Sequence, residues 1–283
     1  MGRAILSVSF GPQAFQKVVL DHESLVVIGS AESAEFRLPP DRRLGDLAAL
    51  LCWTGESGTV HQRVGTGSLL VNGQAVCDAT ISHGDWLRVG NTTFLLRREL
   101  HTPPPYDASP SPGSRPLHAL ATLKESPGQL YAVLDAARSP RILELLRESP
   151  EQTQSLLDGP RGDALAEVAP YLVQLTRGRL LDALITEGWG RNWGIYLSCP
   201  LPFKQVRRHL RRFLRVKEED SPDYLFFRYY DPRVLRTFLP TCTPQEASSF
   251  FGPIQRFWIE GPTWELLDLG HAYFHQRPGL SSM

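Results

Sequence analysis

The sequence predicts a multidomain protein in which an all-β sandwich precedes an α/β (α+β) domain, and three observations support this fold class. Short β-rich runs separated by Gly, Asn and Pro fill residues 1–100. Strand and helix patterns alternate over residues 128–261. Between them, residues 101–127 hold seven of the 23 prolines, which predicts an extended linker. The last stretch, residues 262–283, is predicted to be a C-terminal extension that frays.

Composition places the chain among ordinary globular proteins and argues against several classes of function. Hydrophobic residues make up 42% of the 283 residues, and 30 basic residues balance 30 acidic ones. A neutral chain has no overall field that attracts nucleic acid or anionic membrane. No run approaches the roughly 20 apolar residues that cross a bilayer, and no secretory signal is visible. We therefore expect a cytoplasmic protein without stable membrane insertion and without a nucleic-acid partner.

Cysteine and histidine spacing gives no sign of a metal centre. The four cysteines lie at positions 52, 77, 199 and 242, too far apart for a zinc knuckle or a redox pair. We expect reduced thiols. His271 and His275 are one helical turn apart, but no third ligand accompanies them, so we expect the spacing to be accidental. The sequence predicts neither a metal nor a cofactor.

The first domain is predicted from nine short runs of strand character, with turn residues between them. The predicted strands are residues 4–10, 15–20, 24–29, 35–39, 49–53, 58–64, 68–73, 85–90 and 92–98. Three motifs in this order, IGSAESAEFRLP, LLVNGQAV and ISHGDWLRVGNTTF, resemble the forkhead-associated (FHA) domain. The resemblance covers roughly residues 1–98. It implies a β-sandwich that binds phosphothreonine peptides through loops at one end.

The positions that read phosphate in that family are occupied by other residues here. They are Ser30, Gly45, Ala48 and Thr66, which match the family's Arg, Ser, His and Asn. A dianionic phosphate needs charge-assisted donors, and none of the four supplies a cation. Arg42 and Arg43 are near in sequence and could substitute. We favour a docking module that no longer reads phosphate, and phosphothreonine recognition stays open as the alternative.

The second domain is predicted from alternating strand and helix patterns. The predicted strands are residues 128–135, 169–175, 192–200, 224–230 and 255–261, and the predicted helices are residues 140–147, 178–186, 203–216, 231–240 and 245–252. In the segment FRYYDPR, Asp231 followed by Pro232 is typical of a helix start, because the carboxylate caps free N–H groups.

Asp135, Arg228, Asp231 and Arg233 allow two interpretations. Paired acids with an arginine occur in hydrolase sites. Alternatively, the four form a capped, salt-bridged strand–helix corner. We favour the structural interpretation, because no nucleophile–base pair, Gly-x-Ser-x-Gly elbow or phosphate loop accompanies these residues. The test of the catalytic interpretation is whether these carboxylates face an open pocket. If both are buried against arginines, that interpretation fails.

The helix predicted over 203–216 has an apolar stripe and a basic face. Its cations include Arg207, Arg208, Arg211, Arg212 and Arg215. Acidic residues at 218–220 and 223 follow at once and could neutralise them. We favour a solvated or internally paired face. Docking of an acidic partner surface is the second interpretation, and binding of nucleic acid or membrane is the third.

These segments, taken in order with APYLVQL at 169–175, resemble the type VI secretion adaptor family, whose members are also called effector chaperones. The resemblance runs from about Leu130 to Trp258. It implies a non-enzymatic bacterial protein that holds a toxin effector in the cytoplasm and loads it onto the VgrG spike. An FHA-like domain in front of such an adaptor fits the same system. The alternative is a phosphothreonine-dependent scaffold that regulates secretion.

Overall fold

The computed structural model divides the chain into two compact units. The described residues are 2–10, 16–39, 46–63, 69–103, 115–217 and 224–270. The first unit comprises Met1–Pro103 with Arg147–Pro150, and the second comprises Pro104–Leu146 with Glu151–Met283.

The first unit is a sandwich of two sheets. Its strands are β1 (Ala4–Phe10), β2 (Lys17–Leu20), β3 (Ser24–Gly29), β4 (Phe36–Arg37), β5 (Ala49–Trp53), β6 (Gly58–Gln62), β7 (Leu69–Val71), β8 (Gln74–Val76), β9 (Asp78–Ile81), β10 (Trp86–Val89) and β11 (Thr92–Arg98). One sheet has the order β2-β1-β11-β10-β7-β8 and the other β4-β3-β5-β6-β9. Neighbouring strands are antiparallel except β3 and β4. Alternate side chains point inwards and build one apolar core.

Two strands of this unit lie outside the predicted set, β8 and β9. Asn72 and Gly73 both have positive φ angles, 49° and 85°, which gives the tight turn that joins β7 to β8. The residues of β8 are largely exposed, and one residue separates β8 from β9. Because β8 and β9 are too short to show a clear alternation between apolar and polar residues, the sequence predicts the turn but not the two strands that follow it.

The second unit is built on one six-stranded antiparallel sheet, of order β13-β14-β12-β15-β18-β19. Its strands are β12 (Leu130–Asp135), β13 (Thr153–Ser155), β14 (Pro170–Leu175), β15 (Gly194–Ser198), β18 (Arg256–Glu260) and β19 (Leu266–Gly270). Its helices are α1 (Arg115–Glu125), α2 (Pro140–Arg147), α3 (Gly159–Ala164), α4 (Arg179–Gly188), α5 (Phe203–Arg211), α6 (Pro232–Phe238) and α7 (Pro244–Phe251). Short 3-10 turns occupy Ala136–Arg138 and Leu239–Thr241, and a separate hairpin pairs β16 (Arg215–Lys217) with β17 (Tyr224–Phe226). The unit is therefore of the α+β type.

Four elements of the second unit lie where no helix or strand was predicted. The predicted linker contains α1, whose Ala119 and Leu123 are fully buried, so apolar burial stabilises a helix there. Strand β19 occupies part of the predicted extension and pairs along its length with β18. The elements β13 and α3 were not predicted, because both are too short to show a clear period.

The basic helix is shorter than predicted. It ends at Arg211, and Arg215–Lys217 pair instead with Tyr224–Phe226 as a strand. The strand predicted over 224–230 ends at Phe226, because a turn carries the chain from Arg228 to the helix cap at Asp231. The arginines of the predicted helix therefore lie on two elements: Arg207, Arg208 and Arg211 on α5, and Arg215 on β16.

Two further features concern membrane-spanning helices and the state of the cysteines. Within the described ranges, no helix is both long and apolar enough to cross a membrane. Each of the four cysteines is a free thiol, and Cys199 is buried.

Candidate functional site

The first candidate cluster, which we call the carboxylate corner, begins at the end of β12. Asp135 is only 1% exposed, and its carboxylate accepts a hydrogen bond from Arg228. The other carboxylate oxygen accepts from the N–H of Ala137 at 3.2 Å, which caps the 3-10 turn. Arg228 is 93 residues away in sequence and keeps 43% of its side chain exposed. A buried charge thus has a partner at the surface.

Asp231 is the second buried carboxylate of the corner. It caps α6 through the Arg233 N–H at 3.0 Å, and the Arg233 guanidinium bonds it at 3.0 and 2.7 Å. Pro232 occupies the first helical turn, as the sequence predicts. Burial alone would raise the pKa of Asp231, but the hydrogen bonds from Arg233 outweigh it and hold the pKa below its usual value.

Glu260, at the end of β18, is a third buried carboxylate, and no sequence motif indicated it. It is 3% exposed and accepts hydrogen bonds from the backbone N–H groups of Gly190 and Asn192, at 2.9 and 3.1 Å. Burial raises its pKa to about 7, although those two N–H groups and Arg138 act in the opposite direction. Its partners are backbone groups 70 and 68 residues away, which leave no pattern in the sequence.

The corner brings together the motif residues Asp135, Arg228, Asp231, Pro232 and Arg233. Both aspartates are buried against arginines, the arrangement that the structural interpretation predicts. For Asp231, the lowered pKa makes the carboxylate a weaker proton acceptor. The arrangement ties the end of a strand to the start of a helix, and that is the role its geometry supports.

The basic segment divides into two groups. Arg207 and Arg211 both form an ion pair with the carboxylate of Asp158. In addition, Arg207 donates a hydrogen bond to the carbonyl of Ser155 at 2.8 Å, and Arg211 donates one to the carbonyl of Leu156 at 2.9 Å. These two arginines therefore hold α5 against the chain that leads into α3. Two guanidinium groups share one carboxylate, so a positive charge remains in excess.

The other arginines of the segment face solvent. Arg208, Arg212 and Arg215 are exposed. Arg212 donates to Nδ1 of His209 at 2.6 Å and lies over the ring of Phe213. Among the described residues, Arg208 and Arg215 have no ion-pair partner. The favoured expectation is a solvated or internally paired face: Arg207 and Arg211 are internally paired, and Arg208, Arg212 and Arg215 are exposed to solvent.

A pocket of about 570 Å³, which we call the basic groove, lies beside these arginines. Its apolar lining consists of Leu156, Leu157, Leu165, Leu214 and Phe226, together with Gly162. Its polar lining consists of Asp158, Arg211 and Arg215. Leu156 and Leu214 are buried, whereas Leu165 and Phe226 are 48% and 46% exposed. The groove joins α3, the end of α5 and the β16–β17 hairpin, which no single sequence motif could indicate.

In the first unit, the described phosphopeptide positions carry no cation. Ser30 follows Gly29, where an added Cβ would lie 2.1 Å from the carbonyl oxygen of Asp46. The Ser30 hydroxyl lies 3.4 Å from the Asp46 carboxylate, whose negative charge opposes phosphate. Ala48 is 2% exposed and offers a buried methyl group. Gly45, Thr66, Arg42 and Arg43 lie outside the described residues.

No metal centre is seen in the part of the chain that the structure describes. There, no group of three or more His, Cys, Asp or Glu side chains is placed to hold a metal ion. His271 and His275 lie beyond the described residues.

Comparison with protein families gives one match. Residues 130–249 match the model of a domain of unknown function, DUF4123. This range lies inside the stretch from Leu130 to Trp258 whose motifs resemble the adaptor family, and it contains the basic groove and all residues of the corner except Glu260. No curated protein matches the sequence.

Comparison with solved structures finds similarity to FHA domains and to one domain of a secretion protein. The FHA domain of CT664 protein from Chlamydia trachomatis is 22% identical, with a TM-score of 0.31, over 34% of this chain and 96% of that domain. An FHA domain of an Arabidopsis thaliana hypothetical protein is 15% identical, with a TM-score of 0.32, over 40% and 92%. The cytoplasmic domain of the type III secretion sorting platform protein PscD from Pseudomonas aeruginosa is 18% identical, with a TM-score of 0.31, over 37% and 86%. The assignment of a sandwich rests on the strand order of the first unit itself.

Proposed function

We propose that this protein is a non-enzymatic adaptor of type VI secretion. It binds a toxin effector in the bacterial cytoplasm and loads that effector onto the VgrG spike. The observation that carries the proposal is the family match over residues 130–249, because it coincides with the stretch whose motifs resemble effector chaperones. The same match supports a broader role as a secretion-related module for protein interaction.

The geometry of the second unit supports binding rather than catalysis. The acids that could serve as a catalytic pair, Asp135 and Asp231, are buried against Arg228 and Arg233. The basic groove is one open feature of the described part of the matched range, and leucine and phenylalanine side chains are left half exposed in it. Exposed apolar surface of this kind is typical of sites that bind another protein.

The first unit is proposed to dock a component of the secretion machinery without reading phosphate. Ser30 and Ala48 supply no cation, and the Asp46 carboxylate lies beside Ser30. A phosphothreonine ligand would therefore meet repulsion where a charge-assisted donor is required.

The proposal is tested by tagging the full chain in its native bacterium and identifying the proteins that co-purify, with and without phosphatase treatment of the lysate. We expect one toxin effector and a VgrG protein, in amounts that phosphatase leaves unchanged. Recovery of neither protein would contradict the adaptor function. Loss of the partners after phosphatase treatment would contradict the phosphate-independent role of the first unit.

A further inference from the structure

We propose that the basic groove binds a segment of the partner that combines apolar side chains with Asp or Glu. This inference rests on the proposed function and specifies the chemistry of the segment that the adaptor recognises. The occupant is a protein segment, rather than a nucleic acid or a second copy of this chain.

The apolar lining defines one half of the recognition. Leu165 stands at the end of α3 and Phe226 on β17, and both leave about half of their surface in contact with solvent. Leu156 and Leu214 are buried and close the inner side of the groove. Apolar side chains of a partner would remove this surface from water, which is the main favourable contribution to most protein association.

The charge of the rim defines the other half. Arg211 shares the Asp158 carboxylate with Arg207, so the three groups together keep one excess positive charge. Arg215 adds a second cation and has no ion-pair partner among the described residues, which do not include the acidic residues at 218–220 and 223. A guanidinium presents paired N–H donors that match the two oxygens of a carboxylate. The groove therefore favours an acidic segment and disfavours a basic one.

The lining also argues against a nucleic acid. Sites for single-stranded nucleic acid combine a cationic track with stacked aromatic rings. Here the described lining has one aromatic side chain, Phe226, among four leucines, and Asp158 lies in the wall. Aliphatic side chains suit leucine or phenylalanine of a protein better than they suit a base.

The first test measures binding of synthetic probes to the full-length protein by fluorescence anisotropy. Three labelled 16-residue peptides share Leu and Phe at helical spacing and carry Glu, Gln or Lys at the other positions. We expect the Glu peptide to bind at least about tenfold more tightly than the Gln peptide, and the Lys peptide not to bind. Equal binding of the three peptides would overturn the proposal.

Variants locate the binding site. Leu165→Ser and Arg215→Glu should each weaken the Glu peptide about tenfold, and Arg215→Glu should gain affinity for the Lys peptide. The matched controls are Leu117→Ser, an exposed leucine on α1, and Arg208→Glu, an exposed arginine of α5 outside the groove. Controls that weaken binding as much as the groove variants would overturn the proposal.

The other occupants are tested on the same protein. Tighter binding of a labelled oligonucleotide than of the Glu peptide would overturn the proposal. The proposal would also be overturned if analytical ultracentrifugation showed that the protein dimerises and that Leu165→Ser abolishes the dimer.

Co-purification separates this inference from the proposed function. If Leu165→Ser and Arg215→Glu still recover the effector and VgrG, the groove assignment fails while the adaptor function stands; if the wild type recovers neither, the adaptor function itself fails.

Discussion

The carboxylate corner and the basic groove are both built from arginines and acids of the second unit, yet their charge balance differs. In the corner, Asp135 and Asp231 each have an arginine of their own, and the carboxylates are buried. In the groove, Arg207 and Arg211 share the single carboxylate of Asp158, and apolar side chains remain exposed beside them.

This difference separates a structural role from a binding role. A buried acid whose charge is matched by arginine leaves no excess charge for a ligand, and breaking the pair lowers stability. An excess of cation beside half-exposed leucine and phenylalanine has interactions that only a partner can complete. We therefore expect substitutions in the corner to change folding and substitutions in the groove to change binding.

The largest expected effect follows from Arg228→Ala. It leaves the buried Asp135 carboxylate without its cation, which should lower the free energy of unfolding by about 3 kcal/mol. Urea denaturation of the full chain measures the change. Addition of Asp135→Asn should recover part of the loss, because the amide is neutral. Arg208→Ala, at an exposed site, should stay within about 0.5 kcal/mol of the wild type. If the two arginine variants are equally stable, the Arg228–Asp135 pair does not stabilise the fold.

A second effect concerns the pH dependence that Glu260 gives to the fold. Its pKa is about 7 in the folded protein against 4.5 for an ordinary glutamate. A raised pKa stabilises the fold below pH 4.5, and this contribution is lost as the pH rises through 7. Glu260→Gln keeps an acceptor for the Gly190 and Asn192 N–H groups and removes the titration.

The Glu260→Gln variant should therefore become more stable relative to the wild type as the pH rises from 5 to 8. The relative gain reaches up to about 3 kcal/mol. Urea denaturation at several pH values checks this, with Glu125→Gln as the control at an exposed site. A stability difference that stays flat across this range would show that the folded protein does not shift the Glu260 pKa.

A smaller effect is expected from Asp158→Asn, which should lower the stability of the fold and raise the affinity for the acidic peptide. The side chain of Asp158 is 46% exposed, so loss of its ion pairs should cost about 1 kcal/mol or less. Removal of the carboxylate frees Arg207 and Arg211, and the acidic peptide probe should bind about two- to threefold more tightly. Asp163→Asn, in the helix α3 that begins directly after Asp158 and outside the groove, is the control. Weaker binding of the probe by Asp158→Asn would count against the charge argument.

The smallest expected effect is that of phosphate on the first unit. Affinities for a phosphothreonine peptide and for the same peptide with threonine should agree, because Ser30 faces the Asp46 carboxylate and Ala48 is buried. Isothermal titration calorimetry with both peptides measures the ratio. A clear preference for the phosphorylated peptide would instead assign phosphate recognition to residues such as Arg42 or Arg43.

Local features of the fold could be predicted from the sequence. The runs at 4–10, 24–29, 49–53 and 92–98 form strands with the predicted bounds, since their apolar alternation and turn residues are adjacent in the chain. Asp231 and Pro232 were expected to start a helix, and they start α6, because capping involves neighbouring residues.

Features that depend on distant partners could not be predicted. Glu260 is held by backbone N–H groups about 70 residues away, and Asp158 meets Arg207 across 49 residues. The β16–β17 pairing overrides the helical spacing of the basic run and places Arg215 on a strand. The groove exists only because these distant segments meet, so its lining could not be inferred from any one of them.

Hydrogen–deuterium exchange of the full chain, alone and bound to the effector that co-purifies with it, tests the central claim most directly. We predict slower exchange in peptides covering 156–165 and 211–215, which line the groove, and unchanged exchange in 130–135 and 228–236, which form the corner. Protection confined to the corner peptides, with none at the groove, would contradict the assignment of binding to the groove and of structure to the corner.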